Sequence, residues 1–460
     1  MSFPRTLPGE LGQHPADTQE VKNLAEQFKN SSEYNPQAPY RLTFYHPLLL
    51  YKDAKHLEMI NAHWAHARGA TGAGEIVAVT DSFTNVQSAI SDEKNSRYGT
   101  VRRELGLGTE KTTLLGPVID RGSHGTKVAA ALAANRDDSA HRGNMHGVAF
   151  DARLLLRNYK YPGNPGGKYV LNVHAITEQW DKNLAAQALT LDYARKGGAA
   201  IVNFSLGLNT GKRLDDYTKE TVREKFKHTA KELAQAHTPD AEKIIVVWAA
   251  GNRGYTSTGL ISGLGVHFPE LQKHVLTVVA VGKNGKIKVD SNEEFDWGSN
   301  LCGRAKAFCL AAPGQDIIVP DTKSFTTGPE GYKPFGGTSA AAPLVSGGLA
   351  VLRQYFSVDH ADGTRSYQLG NTELVARLLA TANNKGEYAN SDIYGHGLMD
   401  LNKATMPVGQ LLTSLQSDPN AQPFDASAFS VSGNAFGGAM RDSLGGVKIA
   451  AFDELDAPFF

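Results

Sequence analysis

The sequence predicts an α/β domain with a mostly parallel central sheet covered by helices on both faces. Three observations predict it. Apolar β-runs alternate with helical patterns through the middle of the chain, the signature of parallel strands joined through helices. Two of those runs, Gly74-Glu75-Ile76-Val77-Ala78-Val79-Thr80-Asp81-Ser82 and Val246-Val247-Trp248-Ala249-Ala250-Gly251-Asn252, end in polar residues, at the strand ends where open sheets place ligands and chemistry. The glycine pair Gly336-Gly337 leads into Thr338, Ser339 and a run of small helix-compatible residues. A hydroxyl is thereby set at a helix N-terminus, where unpaired N–H groups and the dipole favour negative charge.

Taken in order, residues 1–55 are polar and punctuated by Pro4, Pro8, Pro15, Pro36, Pro39 and Pro47. One helix is predicted there, from a cap at Thr18 through Val21, Leu24, Ala25 and Phe28. The segment reads as an arm laid on the domain that follows. Residues 57–72 are predicted to form one helix, with Leu57, Ile60, Trp64 and Ala67 at helical spacing. His63 and His66 share it; lacking a nearby carboxylate, they read as surface polar residues rather than a metal pair. Residues 92–120 form a polar, turn-rich insertion between the Asp81 strand and a helix that begins at His124.

Strands are then predicted at 152–156, 199–207, 243–248 and 274–281, with helices at 178–195 and 214–236 between them. The first of these helices is stopped by Gly197-Gly198. The helix from Ser339, with Pro343 expected in its first turn, and another at 372–381 close the domain. Past Met399-Asp400 the composition changes. Residues 410–460 are rich in Ser, Gly, Ala and Asp and are expected to offer little apolar area to a core.

Lys plus Arg number 47 and Asp plus Glu number 47, so no basic footprint for nucleic acid is present. No apolar run reaches the length of a membrane helix. The first eight residues carry no signal-peptide pattern. No cofactor or metal is expected.

The chemistry gathers at four places. A nucleophilic serine needs an exposed oxygen, small neighbours and electropositive surroundings, and Ser339, among small residues at a helix start, is the candidate. A serine nucleophile needs a base, and the base needs an orienting carboxylate. Gly122-Ser123-His124-Gly125-Thr126 supplies a histidine at a helix start, and Asp81 supplies a carboxylate at the end of a buried strand. Asn252 supplies an amide able to donate to an oxyanion. The order Asp81, His124, Ser339 is decisive. The α/β-hydrolases run serine, acid, histidine, and chymotrypsin-like enzymes run histidine, aspartate, serine. No Gly-x-Ser-x-Gly elbow surrounds Ser339.

On Asp81, Ser123-His124-Gly125-Thr126, Ala249-Ala250-Gly251-Asn252 and Gly337-Thr338-Ser339-Ala340-Ala341-Ala342-Pro343, the chain resembles the subtilisin-like serine peptidases, or subtilases. The resemblance covers residues 57–407. It implies a subtilisin-like three-layer peptidase domain at 56–407, between an arm at 1–55 and a polar tail at 408–460. It further implies a serine endopeptidase acting through an Asp-His-Ser triad and an acyl-enzyme, with protein or peptide substrates. By the same resemblance Ser205-Leu206-Gly207 would pair with an extended substrate backbone, and Ala249-Ala250-Gly251 would line the primary side-chain pocket. One departure is Phe83, where the family usually has glycine.

The two cysteines, Cys302 and Cys309, precede Ala311-Ala312-Pro313-Gly314. This stretch resembles the subtilase autotransporters of Gram-negative bacteria, which carry a cysteine pair before such a turn. The resemblance implies a Cys302–Cys309 bridge and a secreted or cell-surface location. Residues 427–460 resemble the segment that precedes the translocator barrel in those proteins. The alternative functions are a catalytically silent subtilase-like binding module, which would not react with a serine-directed phosphonate, and a lipase or esterase, which the missing elbow and the residue order disfavour.

Overall fold

A computed structural model describes residues 16–34, 38–40, 49–51, 55–83, 105–106, 109–114, 124–136, 145–158, 173–188, 191–207, 214–238, 242–287, 298–320, 332–413, 424–425 and 451–459. Its centre is a seven-stranded sheet. In chain order the strands are β1 (Ile76–Asp81), β2 (Thr112–Leu114), β3 (Arg153–Asn158), β4 (Ile201–Phe204), β5 (Ile245–Ala249), β6 (Val275–Val281) and β7 (Cys309–Pro313). They lie side by side as β2-β3-β1-β4-β5-β6-β7, and every neighbouring pair is parallel.

The apolar runs are continuous because both faces of the sheet are covered. Val77, Val79, Leu154, Leu156, Val247 and Val278 belong to one buried cluster; Ala78, Leu155, Val202, Val246 and Trp248 belong to another. Successive side chains of a strand point to opposite faces, so these are two cores, one on each side. The first holds the helices His124–Ala133 and Thr338–Tyr355. The second holds helices between Glu178 and Gln235. This is the expected three-layer α/β architecture.

The topology also says where a site belongs. From β1 the chain builds β2 and β3 on one side and β4 to β7 on the other. Asp81 ends β1 beside Asn158 at the end of β3, at the switch point where an open sheet leaves a crevice.

Several elements differ from expectation. The helix expected at 57–72 is two short helices, His56–Met59 and Ala62–Ala67, broken at Asn61 with φ 54°. The Asn61 amide donates to Asp400 Oδ1 at 3.0 Å, and Ile60 O accepts from Leu401 N at 2.9 Å, so contacts from a distant segment fix the break. The charged helix expected at 214–236 is a short turn followed by Lys219–Lys225 and Lys227–Gln235. The insertion at 92–120 contributes the edge strand β2; residues 92–104, 107–108 and 115–120 of it lie outside the described set.

Helix Gln19–Lys29 starts where predicted, with Thr18 Oγ1 accepting from Val21 N at 3.2 Å. Val21, Leu24, Ala25 and Phe28 are buried in the first core. The tail behaves differently from its composition. Ala451, Ala457 and Phe459 are buried, and Phe459 packs edge-on to Phe356 at 6.0 Å. Asp453 forms a fully buried ion pair with Arg377 at 2.8 Å. It also accepts from Val408 N, Leu455 N and Ala457 N at 2.9–3.0 Å. The end of the tail is thus part of the folded domain. Residues 426–450 lie outside the described set.

Candidate active site

Asp81 is fully buried at the end of β1. Its Oδ1 accepts from Ser82 N at 2.6 Å and faces His124 Nδ1 at 2.8 Å. That contact leaves Nε2 as the ring atom able to take a proton from a substrate-side group. His124 opens its helix, and Gly125 N donates to Ser82 O at 2.6 Å, which ties the helix start to the loop after the aspartate. The Phe335 ring stands edge-on to the imidazole at 5.5 Å. His124 therefore lies against the strand that leads into Ser339.

Ser339 is the second residue of helix Thr338–Tyr355, after the N-cap Gly337. Gly337 has φ 84°, and a Cβ there would stand 3.0 Å from both polar atoms of the Asn252 amide. Glycine is needed for the backbone conformation and for the space. Asn252 Oδ1 accepts from Thr338 N at 2.8 Å and from Thr338 Oγ1 at 2.9 Å. With its oxygen so used, the amide presents its N–H groups as donors.

The Ser339 hydroxyl donates to Ser205 O at 3.2 Å. Ser205 Oγ in turn donates to Ser339 O at 2.9 Å. The second bond has a cause in the helix. Pro343 lies beyond the first turn rather than in it, and it has no N–H for the carbonyl four residues back. That carbonyl is Ser339 O, and Ser205 Oγ fills the missing donation. Asn203 supports the arrangement, donating to Ser205 Oγ at 3.0 Å and accepting from Ser346 Oγ at 2.9 Å. Next along the chain, Gly207 has open space where a Cβ would point.

Ala249 and Ala250 are buried at the end of β5, with Gly251 beyond them. Ser123 lies outside the described residues. Two contributors were missed in the sequence. Asn158 Oδ1 accepts from Phe83 N at 2.8 Å, so the loop after Asp81 is held with a buried phenylalanine in it. The predicted strand there stopped at Leu156; a polar residue just beyond an apolar run, as at Asp81, was the available signal. Asn300 is the other, and it bonds to the loop that carries Asn252.

Cys302 and Cys309 are bonded, with Cα atoms 5.8 Å apart, within the reach of a bridge. The bridge spans the turn that enters β7.

His63 and His66 are buried, not on the surface. They sit with His56, His146 and Tyr34 beneath the N-terminal segment. Tyr34 is 5.5 Å from the His146 ring and 5.9 Å from that of His63, and His66 is 5.6 Å from His146. The His66 Nε2 and His146 Nδ1 atoms bond to Val148 O and Gly147 O, each at 2.8 Å. Both nitrogens of His56, Nδ1 of His63 and His66, and Nε2 of His146 are buried without a partner among the described residues. Burial pushes His56 and His63 down to about 4 and His66 to about 3, and lowers His146 as well. Among the described residues no group of three His, Cys, Asp or Glu side chains is arranged to hold a metal ion.

The model of the Subtilase family matches residues 72–397. An extracellular serine protease of Serratia marcescens is 26% identical over 376 residues, covering 76% of this chain and 33% of its own. The autotransporter lipoprotein NalP of Neisseria meningitidis serogroup B / serotype 15 (strain H44/76) is 25% identical over 285 residues, covering 56% of this chain and 23% of its own. The chain spans about a third of the length of the first curated relatives it matches. A solved structure described as a serine protease MycP1, an essential component of the type VII (ESX-1) secretion system, has a TM-score of 0.50 at 22% identity. The match covers 82% of this chain and 96% of that one, and it bears on the fold alone.

Proposed function

The chain belongs to the subtilase family, and on that footing we propose that it is a serine endopeptidase with Asp81, His124 and Ser339 as its triad. One observation supports the reading: Asp81 Oδ1 faces His124 Nδ1 at 2.8 Å, and the ring of Phe335, on the strand that leads into Ser339, stands 5.5 Å from the same imidazole. The Ser339 hydroxyl turns from Ser205 O toward His124 Nε2, which takes its proton as the oxygen attacks the scissile carbonyl. Catalytic hydrogen bonds often tighten only once substrate is bound. Asp81 holds the ring in the tautomer with a proton on Nδ1. The oxyanion is met by the Asn252 amide and the Ser339 N–H. His124 then gives its proton to the leaving amine, and water repeats the sequence on the acyl-enzyme.

The extended edge after β4, at Ser205, Leu206 and Gly207, receives the substrate backbone as an added strand. Ala249, Ala250 and Gly251 wall the side-chain pocket. The Cys302–Cys309 bridge and the likeness to an extracellular protease and an autotransporter lipoprotein support a location outside the reducing cytoplasm. Among the described residues no helix is long and apolar enough to cross a membrane.

The test is covalent labelling by a fluorophosphonate, followed by mass mapping. The label is expected on Ser339 and absent in Ser339→Ala. Labelling that persists in the variant overturns the nucleophile. A folded wild-type chain that is never labelled favours the silent binding module instead.

A further inference from the structure

Asn252 lies in a loop, not in a strand. After β5 the sheet ladder makes one more bond, Ala250 N to Val278 O at 2.9 Å, and the main chain beyond it must find other partners. Asn300, far along the chain and 2% exposed, supplies three of them from one side chain. Its Nδ2 donates to Ala250 O at 2.9 Å. Its Oδ1 accepts from Arg253 N and from Tyr255 N, each at 3.0 Å. The main chain adds Asn300 N to Gly251 O and Leu301 N to Tyr255 O, each at 2.8 Å. One buried carboxamide thus bridges the two limbs of the loop, with Asn252 between them.

The loop is shaped around this side chain. Gly251 has φ 106°, and a Cβ there would meet Asn300 Nδ2 at 2.5 Å. A side chain at Gly251 would displace the amide that holds the loop. Asn252 is fixed from the other direction by Thr338, whose N–H and hydroxyl both donate to its Oδ1. Thr338 thus sets the orientation of the Asn252 amide, and Asn300 sets the position of the backbone that carries it.

We propose that Asn300 is a positioning residue for the oxyanion donor: it holds the 250–255 loop so that the Asn252 amide is aimed before substrate arrives. The inference rests on the peptidase reading above. An oxyanion donor is effective because it is preorganised and need not be reoriented during reaction. A donor displaced by a fraction of an ångström still binds substrate but stabilises the transition state less.

The test is a double-mutant cycle on the full chain, read as kcat and KM with a small peptide substrate. Asn300→Ala is expected to lower kcat about tenfold to a hundredfold, with KM changed far less. In the Asn252→Ala background the same change should cost less than about twofold, because the donor it positions is gone. Asn300→Asp keeps the acceptor for Arg253 N and Tyr255 N, and should retain more turnover than Asn300→Ala. If the alanine variant does not fold, the aspartate variant is carried through the same cycle. An equal loss of kcat in both backgrounds overturns the proposal, and so does a wild-type kcat in the single variant. Fluorophosphonate labelling of the wild type separates the two claims. A labelled wild type with an unaffected Asn300 variant defeats only the positioning role. An unlabelled wild type defeats the peptidase reading beneath it.

Discussion

Acid should destabilise this chain through the histidines under its N-terminal segment, and His56 gives the cleanest perturbation. Among the described residues both its ring nitrogens are buried without a partner, so His56→Leu removes a titrating group without removing a hydrogen bond to any of them. Burial holds the His56 pKa at about 4 in the folded chain, against about 6.5 unfolded. The folded pKa is the lower one. Below pH 6.5 the unfolded chain therefore binds more protons, and stability rises with pH across the window from about 4 to 6.5. The stabilisation is complete above that window and is lost as pH falls through it. At pH 5 the loss is about 1.5 pH units of unfolded-state protonation, or about 2 kcal/mol. His66, pushed to about 3 by burial, adds a loss of the same sign, and His146 is lowered too.

The groups facing the cluster reinforce the sign or leave it unchanged. Arg136 lowers both His66 and His146, and it is paired with Glu33 at 3.0 Å. Lys29 and Arg68 lower His63, while Glu58 and Glu26 raise it by less than burial lowers it. The assay is urea unfolding at pH 7 and pH 5, in the Ser339→Ala background so that self-cleavage does not intrude. His56→Leu should reduce the difference between the two pH values by about 2 kcal/mol. An unchanged difference would show that His56 is solvated or charged in the folded chain, and the reasoning would fail.

Three further outcomes are expected. Asn252→Ala should lower kcat by about a hundredfold or more with KM nearly constant, since one oxyanion donor contributes about 3–4 kcal/mol in the transition state; steady-state kinetics in which KM alone changes would make Asn252 a binding residue. Asp453→Ala leaves the Arg377 charge buried and three backbone N–H groups unpaired, so denaturant unfolding should show a loss of about 3–5 kcal/mol; a loss within experimental error would mean that residues 451–459 do not dock as described. Protein recovered from its native compartment should show no alkylatable thiol before reduction; two such thiols, by intact mass, would refute both the bridge and the extracytoplasmic location.

The sequence by itself determined what depends on neighbours along the chain. Continuous apolar runs leading up to Asp81 and Asn252 marked buried strands and the ends near which the proposed site lies, because a strand covered on both faces needs no alternation. The Gly337-Thr338-Ser339 start was legible because a helix N-terminus is a local event. The order of Asp81, His124 and Ser339 then separated one triad architecture from the others as the one to propose. What the tertiary structure decided depends on partners distant in sequence. Whether His63 and His66 face water is settled by what covers their helix, and Tyr34, Phe150 and His146 cover it. The 57–72 helix breaks at Asn61 because Asp400 and Leu401 bond there. The tail enters the core because Arg377 offers Asp453 a buried counter-charge. Asn158 left only the faint mark of a polar residue just past an apolar run, and Asn300 left none: a single polar residue outside any pattern carries no period, and its role exists only once folding brings a second loop's N–H and C=O groups within bonding distance.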